Sequence, residues 1–481
     1  MNQKHTSGSA IVPLCVDLDG TLVRTDLLVE STLSLLKRNL LYLFLLPIWL
    51  VGGKANLKHQ IALRIGVDPT SLPYNQEFLA FLRDEARRGR RLILATASNI
   101  RWARQVARHL GIFEEVLASD AENNLSGERK LAALLTRFGE QGFDYAANDR
   151  SDLTLWPHAR CAILVNEVPG VRAAAGKVAN VAQTFSDRAF RPAAYVEAMR
   201  PAQWLKNLLV FLPPFAAHQF KNPTLLLQGV LACVAFSICA SSVYLLNDLL
   251  DLPADRRHWR KKHRPFAAGD ASVIYGALLV PLLLIAALVV SLALPFRFLL
   301  VLSCYYVATL TYSLWLKRVV IVDVLLLAAL YTARVIAGAA AAGVALSFWL
   351  LAFSMFIFLS LALVKRYTEI LTISREGKAQ ADGRGYRAED MDSLMSLGTS
   401  SGYAAVVVLA LYINSADVHL LYKRPEAVWL LCPLLLYWIS RLWLGARRGK
   451  LHDDPLVFAL RDRASRYVLF LGVAVVVFAS Y

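Results

Sequence analysis

From about residue 201 to its end this chain runs in apolar stretches of around twenty residues separated by short polar loops, and no other feature narrows its possible folds as much. About 20 apolar residues in a helix match the ~30 Å hydrocarbon core of a bilayer. Inside lipid every backbone N–H and C=O has to be satisfied within the protein, which leaves helices and closed barrels; uninterrupted rather than alternating apolar runs select helices. Nine spans are expected, near residues 201 to 220, 225 to 246, 272 to 295, 297 to 315, 320 to 342, 346 to 364, 396 to 414, 426 to 443 and 465 to 481. The first 185 or so residues are different: charges are frequent, Gly and Pro punctuate, and no apolar run is long enough to cross. The expected organisation is a soluble domain over residues 1–185 followed by an all-α polytopic membrane domain of about nine transmembrane helices over residues 186–481.

With 57% hydrophobic and only 18% charged residues, the chain is too apolar for an ordinary soluble protein. Its net charge of +16 does not point to nucleic acid, because the cations sit in short loops between spans rather than along one soluble face. The loops after the second, fourth, sixth and eighth spans hold 21 Lys and Arg, whereas the opposite loops hold only Lys221, Arg297, Lys423 and Arg424. That asymmetry puts the basic loops in the cytosol and makes the lipid bilayer the partner, with no nucleic acid. Met1 to Ala10 is polar and lacks the apolar core of a signal peptide, so the N-terminal domain is expected to be cytoplasmic, on a multi-pass protein of the cell's inner membrane. The six cysteines are scattered, with no CxxC pair and no histidine at metal spacing, so neither a disulfide framework nor a zinc site is indicated.

At the cytosolic end of the second span the sequence reads NDLLDLPADRRHWRKKHRP, residues 247–265. Asp248, Asp251 and Asp255, spaced by three and four, fall on one face if the helix continues. Three stacked carboxylates repel, and a divalent cation resolves the repulsion. Mg²⁺ is commonly held by one or two carboxylates together with substrate phosphates. Asn247 adds an amide oxygen, and the run Arg256, Arg257, Arg260, Lys261, Lys262 and Arg264 can neutralise phosphate charge that the metal leaves over. Acids for a metal beside cations for phosphate are what a diphosphate site requires.

The string N-D-x-x-D-x-x-x-D followed by K-x-x-R-P (Asn247, Asp248, Asp251, Asp255, Lys261, Arg264, Pro265) resembles the first aspartate-rich motif of the UbiA-type intramembrane prenyltransferases. The resemblance covers roughly residues 190 to 481 and implies a nine-helix membrane fold around a cytosol-facing, Mg²⁺-dependent cavity. Aromatic prenyltransferases of that superfamily usually carry a second aspartate motif after the sixth span; here the chain reads VKRYTEI, with Lys365, Arg366 and Glu369. That departure, with RPAQWLKN (Arg200, Gln203, Trp204, Lys206, Asn207), YSLWLKRVVIVDV (Tyr312, Lys317, Asp323), RVIAG (Arg334) and ALRDR (Arg461, Asp462), is similar to the decaprenyl-phosphate phosphoribosyltransferase branch. The branch implies phosphoribosyl diphosphate as donor and a polyprenyl phosphate as acceptor. Metal on Asp248, Asp251 and Asp255, with Lys261 and Arg264, would stabilise the departing pyrophosphate; Lys206, Lys365 and Arg366 would hold the acceptor phosphate or the ribose 5-phosphate. Lys206, Lys317, Lys365 and Arg366 also lie at span ends, where snorkelling cations are common without any catalytic role. Asp323 and Arg334 fall inside the fifth span, where an ionisable side chain has a functional or paired role by default. Eleven residues separate them, about three turns or ~16 Å along the axis, so they share a face without pairing.

In the soluble part, IVPLCVDLDGT (residues 11–21) is a short apolar run ending in two aspartates and a glycine turn. Asp17 can attack phosphorus, Asp19 can handle the leaving-group proton, and the turn amides can bind phosphate. D-x-D-G-T resembles the first motif of the haloacid dehalogenase-like hydrolases, which implies a Rossmann-like α/β domain with a helical cap, here over about residues 27–90. The later motifs imply a phosphate-binding hydroxyl on Thr96, a lysine at Lys130, and a Mg²⁺ site from Asp17, Asp149 and Asp152. Asn148 stands where that pattern usually has an aspartate, so an amide replaces one acid of the implied Mg²⁺ site. Within the cap, NLLYLFLLPIWLVGG (residues 39–53) is too short to span and contains a proline; it is either a buried cap helix or a hairpin dipping into the membrane surface.

The leading expectation is a membrane transferase making polyprenyl-phosphoribose, whose soluble domain removes the 5-phosphate from the product. The alternatives are an aromatic prenyltransferase using a prenyl diphosphate, and a transferase whose soluble domain is an inactive regulatory module.

Overall fold

A computed structural model describes residues 12–186, 191–219, 221–375, 385–451 and 454–480. The chain forms two compact units, Met1–Met199 with Leu245–Leu279, and Arg200–Tyr244 with Val280–Tyr481.

The first unit is built on six parallel strands: β1 (Leu14–Val16), β2 (Leu92–Asn99), β3 (Glu115–Ser119), β4 (Asp144–Ala147), β5 (Ala162–Val165) and β6 (Val181–Phe185). Their order is β3-β2-β1-β4-β5-β6, with Leu14 in register with Leu92 on one side and Asp144 on the other. Strand periodicity splits the apolar residues between two cores. Leu14, Val16, Leu92 and Leu94 join Phe78 and Trp102 on one face, while Cys15, Ile93 and Ala95 join Phe143, Tyr145 and Trp156 on the other. In such a sheet, ligands bind beyond the carboxyl ends of the strands, near the reversal of strand order. The reversal here is at β1, and Asp17 and Asp19 follow it directly.

Between β1 and β2 lies a helical insert, α1 (Leu27–Arg38), α2 (Tyr42–Val51), α3 (Gly53–Arg64) and α4 (Gln76–Arg87). α1 starts where the Asp26 side chain accepts from the Val29 amide at 2.9 Å, and α4 where Asn75 accepts from Phe78 at 3.1 Å. The insert is helical as expected, but α2 contains no buried residue, which overturns the buried-helix alternative for residues 39–53.

Eight helices are long and apolar enough to cross a membrane among the described residues: Pro223–Leu250, Val273–Ser291, Phe296–Leu314, Val322–Ala342, Phe348–Arg375, Ala388–Ile413, Pro425–Arg447 and Arg463–Ser480. They correspond to the second to ninth expected spans. The stretch expected as the first span is instead a 3-10 helix, Pro201–Phe211, followed by the short helix Leu212–Ala216. Pro201, Pro213 and Pro214 explain the difference, since each removes an amide donor and fixes φ. In the second unit Gly338 lets the 3-10 segment lie against the helix Val322–Ala342: a Cβ there would fall on the Val210 carbonyl.

Candidate functional site

Three groups of polar side chains stand out, two in the first unit and one in the second.

Beyond β1, Lys130 donates to Asp17 Oδ1 at 3.1 Å and to the Tyr145 hydroxyl at 2.9 Å, and that hydroxyl donates to Asp152 Oδ1 at 3.0 Å. Burial pulls the Lys130 pKa down, but the carboxylates of Asp17 and Asp152 outweigh it and hold it above the usual lysine value. Asp152 is raised to about 6, by burial first and then by the Asp17 charge. Asp19 Oδ1 accepts from the Leu27 amide at 2.9 Å and Oδ2 from the Ser98 hydroxyl; burial, then Asp26, raises its pKa to about 7, the range of a proton donor. Thr96 is fully buried within β2, where its pairing with β3 becomes irregular, and its hydroxyl accepts from the Ser98 amide at 3.0 Å. Asp17, Lys130, Tyr145 and Asp152 are thus joined in one hydrogen-bonded chain, and Asp19 reaches Thr96 through Ser98. Asp149 is used differently: its side chain accepts from the Arg150 amide at 2.7 Å and caps a 3-10 helix, Arg150–Thr154.

Gly20, at φ +76°, makes the turn after the aspartates, and a Cβ there would collide with the Asn148 side chain. Asn148 therefore packs directly on the DxDGT turn and accepts from the Thr21 hydroxyl at 3.1 Å. Sequence reasoning missed Ser98, Tyr145 and Lys58. Lys58, on α3, donates to the Ala97 carbonyl at 2.6 Å and to Asn124 at 2.7 Å. Its sequence neighbourhood has no motif; its position follows from the path of the cap.

The second group is the aspartate-rich segment, which belongs to the first unit from Leu245 onward. The helix does not continue through it. Pro223–Leu250 ends, Asp251 takes the N-cap of a separate short helix, Leu252–Arg257, and the break comes where Pro253 withholds its amide. Consequently the three aspartates do not share one face. Asp248 and Asp255, both buried, accept from the same Arg264 nitrogen, Nη1, at 3.1 and 2.6 Å. Asp251 instead accepts from Lys37 of α1 at 2.6 Å. Burial, tempered by Arg264, raises the Asp255 pKa. Asn247 lies one residue before Asp248 in the last turn of the helix, and Lys261 starts a 3-10 turn, Lys261–His263. Two further ion pairs join this segment to the insert. Arg256 makes a bidentate pair with buried Glu30, Nη1 to Oε2 being 2.9 Å, and Arg257 pairs with Asp68 at 3.0 Å.

Mg²⁺ suits this donor set. Asp248 and Asp255 converge on one cationic nitrogen, so a pair of hard oxygen donors is already aimed at a single positive position, and Arg264 is partly exposed. Among the described residues no three carboxylate, imidazole or thiol groups converge as a preformed cage.

The third group lies in the second unit. Buried Asp454 accepts from Lys206 at 2.6 Å, from Lys365 at 3.3 Å and from the Tyr331 hydroxyl at 3.2 Å. Burial would raise its pKa, but the two lysines outweigh burial and hold the carboxyl well below its usual range. Nearby in sequence, Arg366 is almost fully buried, with Nε 2.7 Å from Asp323 Oδ2. It also pairs with Glu369 and donates to the Tyr312 hydroxyl at 3.2 Å. Tyr386 donates to the other Asp323 oxygen at 2.6 Å. Arg334 donates to Asn207 and to the Tyr305 hydroxyl, both at 2.9 Å, so Asp323 and Arg334 each have their own partners and do not meet. Lys317 lies in a 3-10 turn, Leu316–Arg318. Asp462 is occupied by Arg441, at 2.6 Å, and by the Ser465 amide at the start of the last helix. Asp454, rather than Asp462, is the acid that gathers the lysines, and sequence reasoning missed it; its two partners are 248 and 89 residues away.

The model of the UbiA prenyltransferase family matches residues 209–461, and that of the haloacid dehalogenase-like hydrolases matches residues 62–138. Over 462 residues the chain is 36% identical to an uncharacterised protein, y4nM, of Sinorhizobium fredii, covering 95% of this chain and 89% of that one. It is 36% identical over 293 residues to the nodulation protein NoeC of Azorhizobium caulinodans (60% of this chain, 93% of that one). It is 30% identical over 283 residues to the decaprenyl-phosphate phosphoribosyltransferase of Mycolicibacterium smegmatis (58% and 89%).

Proposed function

This chain belongs to the UbiA prenyltransferase family, with a haloacid dehalogenase-like N-terminal part, and from that premise we propose that it transfers 5-phosphoribosyl from phosphoribosyl diphosphate to a polyprenyl phosphate. One observation carries the reading. Where an aromatic prenyltransferase would present a second set of acids, the second unit holds the cations Lys206 and Arg366, both buried, and Lys365, partly exposed. Lys206 and Lys365 share one carboxylate, Asp454, so this cluster of two cations and one acid can receive further negative charge. Phosphates on both substrates supply it. The similarity to a decaprenyl-phosphate phosphoribosyltransferase supports the same choice.

In this reaction a phosphate oxygen of the lipid attacks C1 of the ribose, the bond from C1 to pyrophosphate breaks, and pyrophosphate departs. The nucleophile is already ionised, so no side chain has to act as base. Asp248 and Asp255 would hold Mg²⁺, with Asp251 available once Lys37 is displaced. The ion, when bound, supplies positive charge to the leaving pyrophosphate. Arg264 and Lys261 share that task; within the second unit, Lys206 and Lys365 are cations suited to a phosphate. The acceleration comes from positioning and charge stabilisation. The aspartate-rich segment would face the cytosolic side of the inner membrane.

The N-terminal part would then remove the 5-phosphate. Asp17 attacks phosphorus, Asp19 gives its proton to the leaving oxygen, and Lys130 holds Asp17 in place. Water subsequently cleaves the aspartyl phosphate. The packing of Asn148 on the DxDGT turn favours one second reading, a regulatory module without turnover.

The test uses purified protein with Mg²⁺, a polyprenyl phosphate and radiolabelled phosphoribosyl diphosphate, wild type against Asp248→Ala, following label into the organic phase. Label that depends on Asp248 is the expected result. No label in lipid-supplemented wild type would move a prenyl diphosphate with an aromatic acceptor ahead. Asp17→Asn, run beside it, should accumulate the 5-phosphorylated lipid; equal dephosphorylation by that variant would sink the second step.

A further inference from the structure

In the segment Leu40 to Val51 eight large apolar side chains are exposed, among them Leu41, Phe44, Ile48 and Val51, the last at 90%. Tyr42, Leu46 and Trp49, spaced at helical intervals, form the only face of α2 that packs against the core of the first unit. A cap helix facing water would carry polar residues on its other face. α2 carries none: its sequence is YLFLLPIWLV, apolar all round.

The position of α2 identifies what covers it. Lys37, in the last turn of α1, pairs at 2.6 Å with Asp251, the residue after the membrane helix Pro223–Leu250. Glu30 of the same α1 holds Arg256. α2 begins five residues after Lys37, so within this unit it starts at the level where a spanning helix ends. Lys37, Arg38 and Asn39 precede it and Lys54 follows, the flanking pattern of a segment seated at the headgroup layer. Its 10 residues reach about 15 Å, half of the ~30 Å hydrocarbon core, so it enters one leaflet and cannot cross. A protein partner would need polar groups for the rim of its interface, and this helix has no polar side chain beyond Tyr42 and Trp49.

We propose that α2 is a monolayer-inserted anchor that lodges the cap of the phosphate-cleaving domain in the cytosolic leaflet, so that this domain acts on a phosphomonoester carried by a lipid. The substrate part rests on the phosphatase reading of the Asp17 site; the anchoring part does not. The link between the two is short. The chain turns at Gly53, at φ +93°, and returns along α3, whose Lys58 reaches the Ala97 carbonyl beside Ser98 and Thr96. The element that lines the acid site is thus the direct continuation of the one buried in lipid.

The experiment uses the full-length protein in nanodiscs, with a fluorescent amino acid at position 44 in place of Phe44. Lipids brominated on the acyl chain should quench it at least twofold, and aqueous iodide should have little effect. Quenching by iodide with no response to brominated lipid would overturn the anchor, whatever the activity. In a second variant, Phe44→Asp with Ile48→Asp, turnover of a lipid-linked phosphate should fall at least tenfold while turnover of a water-soluble phosphate ester is unchanged. If the two substrates fall together, or neither falls, the lipid-borne substrate is refuted. If wild type cleaves neither substrate, the phosphatase reading fails, the substrate part fails with it, and the quenching result still decides the anchor.

Discussion

Replacing Glu30 by alanine removes one half of the buried ion pair that ties α1 to the aspartate-rich segment. The Arg256 side chain is 4% exposed and that of Glu30 9%, and the guanidinium makes its bidentate contact with this carboxylate alone. Without Glu30, Arg256 keeps only its 3.2 Å bond to the Ala267 carbonyl and stays buried with its charge uncompensated. Stripping one partner from such a pair costs about 3–5 kcal/mol. The neighbouring pair, Arg257 with Asp68, is a contrast: its arginine is 64% exposed, and an exposed pair contributes about 0–1 kcal/mol. The assay is amide hydrogen exchange of residues 27–38 and 252–257 in nanodiscs. About 3 kcal/mol corresponds to roughly 150-fold easier opening, since each 1.4 kcal/mol is tenfold. Glu30→Ala should therefore speed exchange of both segments about a hundredfold, and Asp68→Ala less than fivefold. In a double-mutant cycle, Glu30→Ala with Arg256→Ala should recover about 2 kcal/mol of the loss. Unchanged exchange in Glu30→Ala, or additive effects of the two substitutions, would refute the claim that this pair fastens the segment.

Asp454→Asn leaves Lys206 and Lys365 close together without their shared anion, so melting in detergent should drop by an amount equivalent to about 3 kcal/mol. Added phosphoribosyl diphosphate should raise that variant's melting point more than wild type's, because its phosphates replace the lost charge; equal shifts would separate Asp454 from substrate binding. Asn148→Asp restores an acid against the DxDGT turn and should increase Mg²⁺-dependent turnover of a generic phosphate ester, whereas Lys130→Met should abolish it, in both cases by initial rate. Gly338→Leu drives a side chain into the Val210 backbone and should cost at least about 1–3 kcal/mol, read as a lowered melting point.

Much of this molecule could be read along the chain. Spans two to nine follow from hydropathy alone, and the D-x-D-G-T and N-D-x-x-D-x-x-x-D strings locate two polar centres. The expectations that changed did so for local reasons that only the folded backbone exposes. Pro253 turns a continuing helix into two pieces and sends Asp251 to Lys37 while Asp248 and Asp255 keep Arg264. Prolines at 201, 213 and 214 prevent the first expected span from forming one long helix. Asp462, in the ALRDR string, is occupied by Arg441 and by the start of a helix, whereas Asp454, outside any quoted string, gathers the lysines.

By itself the sequence determined which segments are apolar enough for lipid, which short strings concentrate acids, and how unevenly the basic residues are shared between alternate loops. All of these depend on composition over a few to twenty consecutive residues. Tertiary structure alone decided the pairings: Lys206 with Asp454, Arg366 with Asp323, Glu30 with Arg256, and the apolar outer face of α2. The physical reason is one of range. Hydropathy and turn chemistry act between neighbours along the chain, whereas a buried charge takes its partner from whatever the packing brings within about 3 Å, hundreds of residues away.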